Sequence, residues 1–254
     1  MRARSIMALA ALVSSIAPAF AREQPPSPAP ASDSAAATFI PWLLQGKEEL
    51  TAMPFRDVIF HATGKQVRPL DRNDEADQRV LKQIGAALDE VLKRMNAPTS
   101  PVQTGARINE VSGPFENMVL ELLNAMSGLR CEFPKTAAER TQRSGYPDLR
   151  LVDEATKRVY YMDPKLYAAK SRDSSFRTFY FEPKVATNKV REDAVHLILG
   201  FEHEERKAGH WELTRWDIVD LANFKVKLKA EFQGSNRDIY RPDAILATSA
   251  EKDE

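Results

Sequence analysis

Asp148, Asp163 and Lys165 are the residues whose types and spacing could do chemistry. They lie in GYPDLRLVDEATKRVYYMDPKLY, Gly145 to Tyr167. DLRLV and RVYYMDPKLY alternate apolar and polar residues around the polar turn DEATK, the pattern of a β-hairpin. Residues two apart on a strand point to one face, so Asp163 and Lys165 flank Pro164 on a shared face. The turn brings Asp148 back beside them. Two carboxylates this close repel and carry raised pKa values. A divalent cation removes that cost, and oxygen ligands suit Mg²⁺, which keeps several of its waters. Metal-bound water loses a proton more readily, and the metal offsets charge developing on a phosphoryl oxygen. A lysine alongside would position that water and stabilise the transition-state charge. The chemistry such a set would serve is phosphodiester hydrolysis. The bland alternative is a turn cap at Asp148 and a surface ion pair of Asp163 with Lys165, worth little.

Two helices and a run of strands must hold this hairpin. Asp71 to Met95 carries Val80, Leu81, Ile84, Ala87, Leu88, Val91, Leu92 and Met95 at helical spacing. Acidic residues crowd its start, and Lys93 and Arg94 its end, as the macrodipole prefers. SGPFENMVLELLNAMSG predicts a second helix, with Ser112 as N-cap, Pro114 in the first turn and Gly128 as the stop. Its apolar stripe is Phe115, Met118, Val119, Leu122, Leu123 and Met126. Glu116 falls at the stripe's boundary near the helix start, and Glu121 points to solvent.

After Cys131 the period becomes two. AVHLILGFEHE predicts a buried strand, HWELTRWDIVDL its hairpin partner, and FRTFYFEP a further strand. NFKVKLKAEF alternates Phe224, Val226 and Leu228 with Lys225, Lys227 and Lys229, the pattern of a half-exposed strand. Upstream, Pro41, Pro54 and Pro69 interrupt a mixed segment in which short helices and a strand at DVIFHA are expected. Helices first and strands later, against one sheet, predict an α/β or α+β sandwich.

Pro147-Asp148, fourteen intervening residues, then Asp163-Pro164-Lys165 resembles the PD-(D/E)XK signature of the restriction-endonuclease-like nucleases. The likeness covers Ser112 to Tyr167 closely and the later strands loosely. It implies an α/β restriction-endonuclease-like core, a central mixed β-sheet flanked by helices, here with an N-terminal helical extension. It also implies that Asp148 and Asp163 ligate Mg²⁺ or Mn²⁺, that the Pro164 carbonyl is a further ligand and that Lys165 assists catalysis. A preceding helix supplies another acidic residue in that family, which points to Glu116. Three carboxylates are thus expected around one hydrated ion.

Formal net charge is zero, so whole-molecule charge names no partner. Locally, Lys165 to Arg191 holds seven Lys or Arg against Asp173 and Glu182, with Phe176, Phe179, Tyr180 and Phe181 interleaved. Such a stretch neutralises phosphates and stacks bases, with Lys170, Ser175 and Arg177 the expected contacts; a solvated loop with core aromatics is the competing reading. Lysines on an edge strand also block aggregation, so Lys225, Lys227 and Lys229 need not touch nucleic acid. His196 and His203 stand seven apart on one strand, on opposite faces, which argues against a histidine zinc site. His196 is expected to be a satisfied core histidine, and Arg237 to belong to a structural turn. Cys131 is the single cysteine, so no intramolecular disulfide forms.

Met1 to Ala21 has the form of a secretory signal: Arg2 and Arg4, a short apolar run, then Ala19-Phe20-Ala21 before a mature start at Arg22. Residues 22–37, rich in Pro, Ala and Ser, predict a disordered linker. A single domain is expected over 38–254, with a helical part at 38–110 and the nuclease core at 111–246. No other apolar run predicts stable membrane insertion. The expectation is an exported Mg²⁺-dependent endonuclease, secreted or periplasmic, acting on DNA and paired with an inhibitor or immunity protein if it is a toxin. Export argues against restriction of DNA entering the cytoplasm. The alternative is a non-catalytic exported α/β protein that binds a polyanion or a protein.

Overall fold

The computed structural model describes residues 35–45, 50–104, 108, 111–175 and 179–248. The chain divides into two units, Met1–Gln45 and Gly46–Glu254. In the first, helix α1 (Ala35–Gln45) contains Pro41 and stacks Phe39 on Trp42. Ala35, Ala36 and Ala37, placed in the linker by composition, form its first turn. The secretory signal and the rest of the linker lie outside the described residues.

The second unit is built on a six-stranded mixed sheet. Its strands are β2 (Val67–Arg68), β3 (Leu129–Glu132), β4 (Leu149–Asp153), β5 (Val159–Ala168), β6 (Ala194–His203) and β7 (Leu213–Asp220). The order is β2-β6-β5-β4-β3, with β7 also on β6. β3, β4 and β5 run antiparallel in turn, β5 and β6 run parallel, and β7 returns antiparallel. A separate two-stranded sheet pairs β1 (Met53–Pro54) with β8 (Lys225–Val226).

Strand alternation splits the core in two. Leu149, Leu151, Tyr160, Met162, Leu197, Leu199 and Phe201 face helices α3 (Glu75–Met95) and α5 (Ser112–Asn124). Val152, Val159, Tyr161 and Ala194 face the other way, against Phe55 and Ile59 of α2 (Phe55–Thr63). The α3 stripe expected from spacing is the one buried, and it shares its core with the sheet and α5. Gly85 sits mid-helix because Trp216 of β7 lies 3.3 Å from where a Cβ would stand. Asp74 caps α3, accepting from the amides of Ala76 and Asp77, and ion-pairs with Arg158.

Four local expectations are corrected. DVIFHA is helical, not a strand, because Phe55 and Ile59 are four apart and bury one helical face. NFKVKLKAEF contributes only the two residues of β8, since β1 offers it just two partners. No strand forms at Phe179–Pro183, where Phe179 and Phe181 pack on Phe55 instead. Val111, not Ser112, is the N-cap of α5, with no side-chain capping bond. Two short helices, α4 (Pro101–Thr104) and α6 (Asn236–Ile239), and a 3-10 turn at Ala169–Ser171 are also described; Arg237 lies in α6, opened by a Ser235–Asp238 capping box.

Candidate active site

The hairpin forms as its alternation predicts, with Leu149 opposite Met162 and Val152 opposite Val159. Asp148 immediately precedes β4, and its amide donates to Met162 O at 3.2 Å. The Met162 carbonyl therefore faces β4, and so does that of Pro164, two residues on. Continuing the register would set Pro164 opposite Pro147, and neither has an amide hydrogen. The ladder ends there, which is why a proline is tolerated inside β5.

Asp163 and Lys165 project from the face that carries Tyr161. The Lys165 ammonium pairs closely with Asp163 Oδ2 and lies 3.9 Å from Asp148 Oδ2. The Asp163 side chain is 3 % exposed and that of Asp148 15 %. Burial pushes the Asp148 carboxyl up to about 8, Asp163 adds to the rise by repulsion and a hydrogen bond, Lys165 opposes it, and Glu116 adds a smaller repulsion. Asp163 Oδ2 accepts no hydrogen bond of good geometry. A shielded carboxylate oxygen, met by the Lys165 ammonium and lying beside a second crowded carboxylate, belongs to a donor set that fits a hard divalent cation.

Glu116 lies just past the first turn of α5, and its Oε2 accepts from Arg143 Nη2 at 2.8 Å. Arg143 also donates to Gly113 O and lies 4.5 Å over the Phe133 ring. Glu116 thus reaches the carboxylate pair through its field rather than as an equal third member. Among the described residues, no three His, Cys, Asp or Glu side chains converge into a metal-holding group.

The remaining expected residues spread outward. Lys170 pairs with Glu205 at 3.0 Å on the surface, Ser175 is exposed, and Arg177 lies outside the described residues. His196 is fully buried on β6, where its Nδ1 shares a hydrogen bond of 2.7 Å with Tyr146 OH. Burial holds its imidazole down at about 3, hence neutral. Tyr146 leads directly into Pro147-Asp148, so this contact anchors the turn that delivers Asp148.

Sequence spacing missed Lys189. It is 1 % exposed, and its Nζ donates to Gln142 O at 3.2 Å. Burial lowers its pKa, while Asp148, Asp163 and Glu116 support its charge and Lys165 opposes it. It stands in the segment before β6, at no motif spacing from Lys165. Its only sequence signal was membership of the basic stretch.

A mixed sheet with two crowded carboxylates and a lysine at the end of one hairpin is compatible with a restriction-endonuclease-like core. The model of the Type II restriction enzyme MjaV family matches residues 49–243. Type II restriction enzyme MjaV of Methanocaldococcus jannaschii is 30 % identical over 214 residues, covering 80 % of this chain and 90 % of that protein. The chain belongs to the Type II restriction enzyme MjaV family.

Proposed function

We propose that this chain is a divalent-metal-dependent DNA endonuclease of PD-(D/E)XK type. The observation that carries the reading is the convergence of Asp148, Asp163 and Lys165 at the open end of the β4–β5 ladder. Family membership supplies DNA as the substrate class. Asp148 and Asp163 would hold Mg²⁺ or Mn²⁺, with the Pro164 carbonyl free of a ladder donor and available as a further oxygen ligand. Bound there, the cation would acidify a water and offset charge on the phosphoryl group. Lys165 Nζ orients the attacking water and faces the charge developing on the phosphate. Asp163 orients Lys165 through their ion pair. Arg143 holds Glu116 at the edge of the pair, where its charge adds to the field that attracts a cation.

The family match begins at residue 49, so the signal-like segment and the linker lie outside it. An exported member would meet periplasmic or extracellular DNA rather than DNA entering the cytoplasm. An inhibitor or immunity protein would then protect the producing cell.

The test is cleavage of duplex plasmid by the purified chain with EDTA, Mg²⁺ or Mn²⁺, using Asp163→Asn and Lys165→Ala as controls. Metal-dependent cleavage lost in both variants supports the reading. Cleavage unchanged in both would leave a non-catalytic binding protein on this fold.

A further inference from the structure

A lysine 1 % exposed is rare unless its charge is balanced. The bond of Lys189 to the Gln142 carbonyl satisfies a donor but supplies no counter-charge. Burial disfavours the charge, and Asp148, Asp163 and Glu116 favour it through space. Lys165 stands beside Asp163 and Asp148, Arg143 on Glu116, and the buried Lys189 feels the same three carboxylates through space. Lys189 also grips the segment that delivers Asp148. Between Gln142 and Tyr146 that segment is tied to Lys189, to α5 through Arg143, and to β6 through Tyr146 and His196.

We propose that Lys189 is a positioning residue of the active site: its buried ammonium holds the Gln142–Asp148 segment and balances the carboxylate pair until a divalent cation takes over that role. The cation rests on the function proposed above; the balance does not. Lys189 and the cation then act against each other, because both are attracted by the same carboxylates. A lysine serving packing alone would not oppose metal binding.

Lys189→Gln tests this, since an amide can still donate to Gln142 O while the charge is gone. Mn²⁺ binding to the full chain without DNA is followed by calorimetry, with Asp163→Asn as the non-binding control. Lys189→Gln should bind Mn²⁺ about tenfold more tightly, because a competing positive charge has been removed. Equal or weaker binding overturns the proposal. Should the wild-type chain bind no Mn²⁺, the metal-dependent reading fails, and a metal-free cycle decides Lys189 separately. In EDTA, Lys189→Gln should lower Tm and added Asp163→Asn should restore most of the loss, beyond its effect on the wild-type chain; additive effects overturn the proposal. If Lys189→Gln alone does not fold, the double variant must fold, and its failure equally overturns the proposal.

Discussion

The Lys165 ammonium lies 3.9 Å from Asp148 Oδ2 while pairing with Asp163, its neighbour but one on β5. One cation thus bridges two carboxylates that arrive from opposite sides of a hairpin. This arrangement stores repulsion for a ligand to relieve, as functional sites often do.

Asp163→Asn should therefore stabilise the metal-free protein while abolishing cleavage. Removing one of two crowded charges lowers the cost of ionising Asp148, so Tm in EDTA should rise. Loss of a ligand to the cation that would offset phosphoryl charge should cut kcat by about 100- to 1000-fold. Lys165→Ala should do the reverse to stability: Tm falls in EDTA, because Asp163 loses its cation, and recovers in Mg²⁺ without recovery of cleavage. A lower Tm in Asp163→Asn would remove the case for stored repulsion.

The pH dependence of stability separates two buried groups. Asp148 is pushed from 3.8 up to about 8. Its folded value is the higher one, so its stability contribution is complete below about pH 4 and is lost as pH rises toward 8. His196 runs oppositely. Its imidazole is lowered from 6.5 to about 3, so stability is lost as pH falls from about 6.5 toward 3. The two slopes oppose each other where the windows overlap. Above about pH 6.5 only the Asp148 slope remains of the pair. Thermal melts in EDTA should show Tm falling between pH 6.5 and 8, and falling less in Asp148→Asn. Parallel profiles for the two proteins would show that Asp148 does not titrate there.

The hairpin was legible because its information is local: alternation sets the faces, and the polar turn sets the register. α3 and α5 were legible for the same reason, each having one continuous apolar stripe. The shape of the site depended on contacts distant in sequence. Glu116 was placed on the correct helix, but its partner Arg143 is 27 residues away in a segment without periodicity. Lys189 gripping Gln142 across 47 residues has no spacing rule at all. Phe179 and Phe181 read equally as base-stacking or as core aromatics, because composition does not distinguish a basic loop from one that folds its aromatics onto Phe55. DVIFHA reads as a strand by its β-branched residues, yet burial of Phe55 and Ile59 against the sheet decides for helix, a tertiary override of local preference.

Processing at the N-terminus is open to direct measurement. Met1 to Ala21 has the composition of a secretory signal, with a small-x-small site before Arg22. Expressed in a bacterium with an outer membrane, the chain should be recovered from the periplasm with Arg22 as its first residue. Intact mass and N-terminal sequencing read this out. A cytoplasmic product retaining residues 1–21 would discard export and reopen restriction of incoming DNA as the role.

Glu116 and Arg143 give the last prediction. Glu116 is fixed by a 2.8 Å bond to Arg143 and acts on Asp148 only as the smallest of its named influences. Glu116→Gln should therefore weaken Mn²⁺ binding far less than Asp163→Asn, by about tenfold or less, since it removes a nearby charge rather than a close ligand. Arg143→Ala should act in the opposite direction. It frees Glu116 from its cation, adds net negative charge beside the pair and strengthens Mn²⁺ binding. Half of the Arg143 side chain is exposed, so the fold should survive its truncation, although the contact with Phe133 is lost. Calorimetric titration of the two variants beside wild type checks both directions. If Glu116→Gln abolished binding as fully as Asp163→Asn, Glu116 would have to leave Arg143 and join the pair as an equal ligand.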